Sequence, residues 1–272
     1  MSFSIDALRA KPDDKINLSK IDTNATPGWD TDDRAGAEAR TLELNTELER
    51  LQEVMWAQGT KRLLVVLQAM DAGGKDGTIR HVFDGVNPTG VRVASFKKPS
   101  ERELAHDYLW RIHAEVPGNG EMVIFNRSHY EDVLVVRVFD LVPKQRWKQR
   151  YEHIRHFEEL LVDEGTTIIK IMLHISKAEQ KERLQDRLDK PHKHWKFDVG
   201  DLAMRERWDD FMEAFEDAIN ETSTESAPWY VIPADRKWYR DLAISEIMVQ
   251  TMAKMDLDFP PSDDLEGITI PD

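Results

Sequence analysis

The chain has 272 residues, 40% hydrophobic and 32% charged, which is enough apolar material for one substantial core. It contains no cysteine, which excludes disulfides and thiolate metal sites and points to a reducing, cytoplasmic setting. A formal net charge of −14 argues against a nucleic-acid binder, and the polar first residues and lack of any apolar run near the roughly 18 residues of a membrane span argue against secretion or membrane insertion.

The acid is unevenly placed. Residues 1–60 hold 12 acids and 7 bases, and residues 256–272 hold 6 acids and no base. Within the middle, 177–196 has 7 Lys or Arg against 4 acids, and 144–155 has 5 against 1. Local basic patches in an acidic protein suit an anionic substrate held in a cleft.

In chain order, residues 1–36 are polar, carry Pro12, Pro27 and Gly28, and read as an extended arm. A single α/β domain is expected over 37–255, with an acidic tail at 256–272. From Ala37 to Ala57 the residues Leu42, Leu44, Leu48, Leu51, Val54 and Met55 recur at helical spacing. Arg62–Gln68 is a short apolar run bounded by turn residues, which predicts a buried strand, and Lys75–Phe83 reads as the helix after it. Strands are also predicted at Val91–Phe96, Glu121–Phe125, Thr167–Ile175 and Trp229–Ile232. Helices are predicted at Pro99–Glu115 with Ser100 as N-cap, at 129–139, at 144–163 and at 236–254. The pattern implies five parallel strands covered by helices on both faces. The long charged stretch 177–225 reads as two helices separated by Pro191 and Gly200, in the position of a lid.

Directly after the first predicted strand comes Ala69-Met-Asp-Ala-Gly-Gly-Lys75-Asp-Gly-Thr78. A strand, a Gly-rich turn, a Lys and a helix are the context of a phosphate-binding P-loop. Gly73 and Gly74 let backbone N–H groups converge on phosphate oxygens, the helix N-terminus adds partial positive charge, and Lys75 adds a full one. The common pattern is broken twice, since Ala69 replaces its first Gly and Asp76 its Ser or Thr. Asp71 and Thr78 are then the nearest oxygen ligands for a divalent metal. The third predicted strand runs into Asn126-Arg127-Ser128-His129-Tyr130-Glu131-Asp132, and groups just past a strand's carboxyl end face the ligand crevice. Asn126 stands where an acid would hold magnesium, Arg127 can neutralise a transferring phosphoryl group, and Glu131 and Asp132 restore acid nearby. The plain alternative is a surface ion pair between Arg127 and Asp132. In the lid, Arg183, Arg187 and Lys190 share one helix face, with Lys193 and Lys196 beyond it; a solvated charged face is the alternative. Trp195, Trp208, Trp229 and Trp238 are expected to pack the lid and the last strand–helix unit.

These pieces resemble the polyphosphate kinase 2 family over most of 60–255. The resemblance rests on QAMDAGGKDGTIRHV, GVNPTGVRVASFKKPS, FNRSHYEDVLVVRV, HWKFDVGDLAMRERWDDF and PWYVIPADRKWYR. It implies a P-loop kinase-like fold with a helical lid, a homo-oligomer, and a reversible transfer between inorganic polyphosphate and AMP, ADP or ATP with magnesium, or manganese in its place. It makes Asp71, Lys75, Arg127 and Glu131 the catalytic candidates and Asp71 the metal ligand, with Asn126 and Glu131 beside it. Phosphate contact falls to Ala72, Gly73, Gly74, Lys75, Asp76, Gly77, Thr78, Arg80, Lys97, Lys98, Arg183 and Arg187. Many relatives carry Asp where this chain has Asn126, and Asn where it has Glu131. NRSHYED therefore resembles the branch that accepts both nucleoside mono- and diphosphates. Two other readings of the residues are an ATP-dependent nucleoside or nucleotide kinase and a polyphosphate-binding protein without catalysis.

Overall fold

The computed structural model describes residues 3–261 and 268–271. A 3-10 turn at Ile5–Leu8 leads into β1 (Arg9–Ala10), and a second at Leu18–Lys20 precedes α1 (Arg34–Gln58). There follow β2 (Arg62–Ala69), α2 (Lys75–Val82), β3 (Val91–Ser95), α3 (Glu101–Leu104), α4 (Trp110–His113) and β4 (Met122–Asn126). A 3-10 turn at His129–Asp132 leads to α5 (Val135–Val138), α6 (Lys144–Asp163) and β5 (Thr166–His174). The lid comprises α7 (Lys177–Asp189), a 3-10 stretch at Pro191–Lys196, α8 (Gly200–Glu206) and α9 (Trp208–Thr222), and β6 (Trp229–Pro233) and α10 (Lys237–Met252) end the domain.

One sheet of order β1-β6-β5-β2-β4-β3 organises these elements. Its five long strands are parallel, as expected from strands alternating with helices. The sequence reading counted five strands, and the sixth is β1. Arg9 and Ala10 pair antiparallel with Tyr230 and Trp229, so part of the predicted arm caps the sheet edge. Phe3, Ile5, Leu8, Ala10 and Leu18 are buried in the common core, which fastens this segment to the domain. Of the predicted acidic tail, residues 262–267 and 272 lie outside the described residues.

β2 is central because its residues Leu63–Ala69 are all buried and it pairs with β5 on one side and β4 on the other. The strand order reverses at this point, so the carboxyl end of β2 opens into a crevice. α1 starts where the Asp33 carboxylate accepts from the Gly36 N–H and ends at Gly59, whose φ of 64° suits its lack of a side chain. It packs along α10. No helix among the described residues is long and apolar enough to cross a membrane.

Three predicted helical stretches are subdivided, and 129–139 is one of them, forming a 3-10 turn at His129–Asp132 and the short α5. Pro99–Glu115 forms α3 and α4, because the Asp107 carboxylate accepts from the Leu109 N–H and turns the chain between them. The Ser100 cap is present and reciprocal: Glu103 donates its N–H to Ser100 Oγ and accepts the Ser100 N–H at 2.6 Å. The lid has three α-helices rather than two.

A buried polar network fixes the segment after β4. Lys170 on β5 donates to Glu158 Oε2 at 2.5 Å and to the Thr222 carbonyl at 2.7 Å. The Tyr130 hydroxyl lies 2.8 Å from both Glu158 Oε1 and Thr222 Oγ1, and His129 Nε2 is 3.2 Å from Glu158. Burial opposes ionisation of Glu158, but Lys170 and His129 outweigh it and hold the carboxyl below its ordinary range. Ser128, His129 and Tyr130 thus anchor the chain in the core and present Arg127 and Glu131 on either side.

Removing one partner of a buried ion pair strands the other charge. Glu158→Gln is expected to lower stability by about 3–5 kcal/mol, and Glu158→Met combined with Lys170→Met to recover most of that loss. Urea denaturation of both variants checks this; equal losses would assign the stability to the ion pair itself.

Candidate active site

Five residues link β2 to α2, and they turn sharply. The Gly73 N–H donates to the Met70 carbonyl at 2.9 Å, and Ala72 sits in the left-handed region at φ 58°. A Cβ on Gly73 would lie 2.6 Å from the Ala69 Cβ, and Gly74 has φ 110°, so neither position accommodates a side chain. The first N–H groups of α2 then point out of the turn toward the crevice. Lys75 is buried, and its Nζ donates to the Ala69 carbonyl at 3.1 Å. Burial, and then the Arg127 charge, pull its pKa down, while Asp71, Glu131 and Asp76 oppose the shift.

The turn is braced from the lid. Gln180 on α7 donates to the Asp71 carbonyl at 2.9 Å. Arg183 donates to the Gly73 carbonyl at 2.9 Å and to that of Ala234, past β6, at 2.7 Å. The Asp71 and Gly73 carbonyls are therefore held by lid side chains.

A cleft of about 500 Å³ opens above the turn, lined by the loop residues Asp71–Gly77 and by Lys97, Asn126 and Arg127. Lid residues Arg183, Arg187, Lys193, Trp195, Lys196, Asp198 and Asp201 close it. Arg127 is in the left-handed region at φ 63°, and it donates to Asp71 and, at 3.5 Å, to Glu131. Burial works against its charge, but Glu131 and Asp71 raise its pKa. The Asn126 side-chain N–H donates to Asp76 at 3.0 Å. Arg187 donates to Asp201 at 3.0 Å. Burial, and then the nearby Asp71 charge, push the Asp201 carboxyl up to about 6.

Most of the sequence-predicted residues meet here: Asp71, Ala72, Gly73, Gly74, Lys75, Asp76, Gly77, Lys97, Asn126, Arg127, Arg183 and Arg187. Others lie elsewhere. Arg80 and Lys98 are exposed and are not among the described residues lining the cleft. Thr78 is buried with its hydroxyl unpartnered among the described residues. Glu131 sits behind Arg127, beside Leu134, Met204 and Phe211, where it also accepts from Gln68 at 3.2 Å. Arg127 and Asp132 do not form a surface pair. Asp132 pairs with Arg150 at 2.8 Å, and burial pushes its carboxyl up to about 6 against the pull of Arg150. Lys190 and Lys193 both grip Asp186, and together they draw its carboxyl down to about 2.

Trp208 and Trp229 are buried as expected, but Trp195 is 78% exposed at the cleft mouth, with Lys196 over its ring at 4.9 Å. Trp195 sits in the 3-10 stretch that Pro191 opens, of which no residue is buried. Sequence reasoning missed Asp201 and Arg240. Asp201 lies beyond the basic stretch 177–196 that drew attention in the lid, and Arg240 lies far along the chain from the loop it packs against.

Residues 30–260 match the family described as Polyphosphate kinase 2 (PPK2). The chain is 60% identical over 252 residues to the AMP/ADP-polyphosphate phosphotransferase of Meiothermus ruber, covering 93% of this chain and 94% of the relative. It is 41% identical to the ADP-polyphosphate phosphotransferase of Rhodopseudomonas palustris, covering 96% and 93%. Among solved structures, polyphosphate kinase 2 from Arthrobacter aurescens TC1 superposes with a TM-score of 0.91 at 43% identity, covering 95% of this chain and 92% of that one.

Asp201 yields a pH signature. A carboxyl raised above its unfolded value contributes stability below that value and loses it as pH rises through about 6. The thermal midpoint of the unliganded protein is expected to lose part of its height between pH 4 and 7, and Asp201→Asn to abolish that part. Parallel profiles for the two proteins would remove Asp201 as the source.

Proposed function

The chain belongs to the polyphosphate kinase 2 family, and from that premise we propose that it moves the terminal phosphoryl group of inorganic polyphosphate onto both AMP and ADP. It is a polyphosphate:nucleotide phosphotransferase. The observation that carries the reading is the cleft itself, in which the phosphate loop faces a lid row of Arg183, Arg187, Lys193 and Lys196. Such a row matches a chain of phosphates better than a single nucleotide tail. Acceptance of both AMP and ADP is supported by Glu131 holding Arg127 and by the activity named for the Meiothermus ruber relative.

A phosphate oxygen of the acceptor attacks the terminal phosphorus of polyphosphate, and the bridging oxygen leaves with the shortened chain. The acceptor phosphate is already ionised, so no general base is required. Catalysis is then positioning plus charge stabilisation. The loop N–H groups and Lys75 hold the donor, and Arg127, aimed by Asp71 and Glu131, meets the transferring group. The lid arginines close over the chain and exclude water.

A divalent metal fits this cleft. Asp71, Asp76, Asn126 and Asp201 line it with hard oxygen donors of the kind magnesium takes, and one or two of these carboxylates would hold the ion. Among the described residues no group of three or more acids or histidines is placed to hold a metal by itself. When bound, it would neutralise charge on the phosphates. The lack of cysteine supports a cytoplasmic, reducing setting for the reaction.

Purified protein incubated with magnesium, long-chain polyphosphate and either AMP or ADP is expected to yield ADP and ATP from the first and ATP from the second, read by chromatography. Lys75→Met or Asp71→Asn is expected to lower kcat by about 10²–10³-fold with the fold retained. Product from ADP alone would overturn the dual acceptance. Transfer from ATP but not from polyphosphate would overturn the donor.

A further inference from the structure

Arg240 on α10 is 2% exposed and lies under the phosphate loop. Its Nε and Nη2 donate to Asp241 at 2.8 and 2.7 Å, and the remaining nitrogen, Nη1, is turned toward the loop. A Cβ on Gly74 would lie 2.5 Å from that Nη1 and 3.3 Å from the Nη1 of Arg183. A Cβ on Gly77 would lie 3.6 Å from both terminal nitrogens of Arg240. The two glycines that look like backbone devices for phosphate therefore also make room for a guanidinium from behind.

We infer that Arg240 is a positioning residue of the phosphate loop, holding the Gly74 turn against α10 and setting a positive charge beneath the bound phosphate chain. Its charge cannot be relieved by deprotonation, because a guanidinium stays protonated throughout the accessible pH range. Burying it is unfavourable unless it is compensated. Asp241 compensates it on one edge. On the other edge lies the start of α2, itself the positive end of a helix. Arg183 approaches the same turn, and its Nε donates to Glu179 at 2.7 Å. Each guanidinium thus has one edge on a carboxylate and another turned to the loop. A polyanion seated on the front of the loop faces those edges, and the gain appears as affinity for the donor.

The inference rests on the proposed donor, and its test separates the two. The experiment compares wild type with R240M, R240K and the double variant R240M/D241N, which removes the stranded carboxylate together with the cation. Thermal midpoints are measured without ligand, with polyphosphate of defined length, and with ATP, and KM is measured for polyphosphate and for ADP. In R240M/D241N the unliganded midpoint should stay near that of wild type, while the polyphosphate-induced rise shrinks to less than half. KM for polyphosphate should increase at least tenfold with KM for ADP within about twofold, and R240K should fall between. If wild type is protected by ATP and not by polyphosphate, the donor reading fails, and loss of the ATP-induced rise in the double variant still supports Arg240. A double variant with a wild-type KM and a full ligand-induced rise overturns the inference. So does a lowered unliganded midpoint with both KM values unchanged, which is the signature of a residue that merely packs.

Discussion

Everything around the cleft depends on holding five residues between β2 and α2 in a turn that leaves no space for side chains at Gly73 and Gly74. Such a turn is not self-supporting, because its carbonyls point away from the phosphate site and need partners of their own. Gln180 and Arg183 of α7 donate to the Asp71 and Gly73 carbonyls. Lys75 closes back on the end of β2, and Arg240 of α10 packs against Gly74 from beneath. The central sheet then serves as the frame that brings residues 69–77, 180–183 and 240 to one point.

The second theme is charge that is already spoken for. Arg127 is shared by Asp71 and Glu131, Arg187 is held by Asp201, and Lys193 by Asp186. The cleft without its substrate is a set of internal ion pairs with modest net field. On the proposed reading a phosphate chain has to displace carboxylates from these cations, so it wins only if it offers several anionic oxygens in the right places at once. Isolated phosphate competes poorly against such a network, whereas a repeating polyanion gains at each step along the lid. The raised pKa of Asp201 belongs to the same balance, since burial first and the neighbouring Asp71 charge second disfavour its ionised form.

Much of the architecture was readable because its determinants are local. The five parallel strands announce themselves as short runs of buried β-branched and aliphatic residues between turn signals, and the loop after β2 carries its chemistry in consecutive residues. What escaped was non-local. β1 is two residues long and exists as a strand because Trp229 and Tyr230, more than 200 residues later, offer a free edge. Glu131 reads as a cleft residue from its distance past β4, yet the anchoring of His129 and Tyr130 in the core turns it behind Arg127. Trp195 reads as packing because tryptophan usually does, but a 3-10 stretch opened by Pro191 carries it outward. In the first two cases the deciding contact spans distant parts of the chain, and no periodicity encodes it.

The acidity of the whole chain and the anionic nature of its substrate are compatible once range is considered. At physiological ionic strength the field of an exposed charge is screened over about 8 Å, so a charge acts strongly only at short range, and Lys97 and the lid cations line the cleft itself. Long-range steering therefore contributes little to capture, and what remains is directional: N–H groups and guanidinium forks that must be met at hydrogen-bond distance. A site built this way discriminates by the spacing of phosphates rather than by total charge. That is the property needed by an enzyme whose donor and acceptor both carry phosphates.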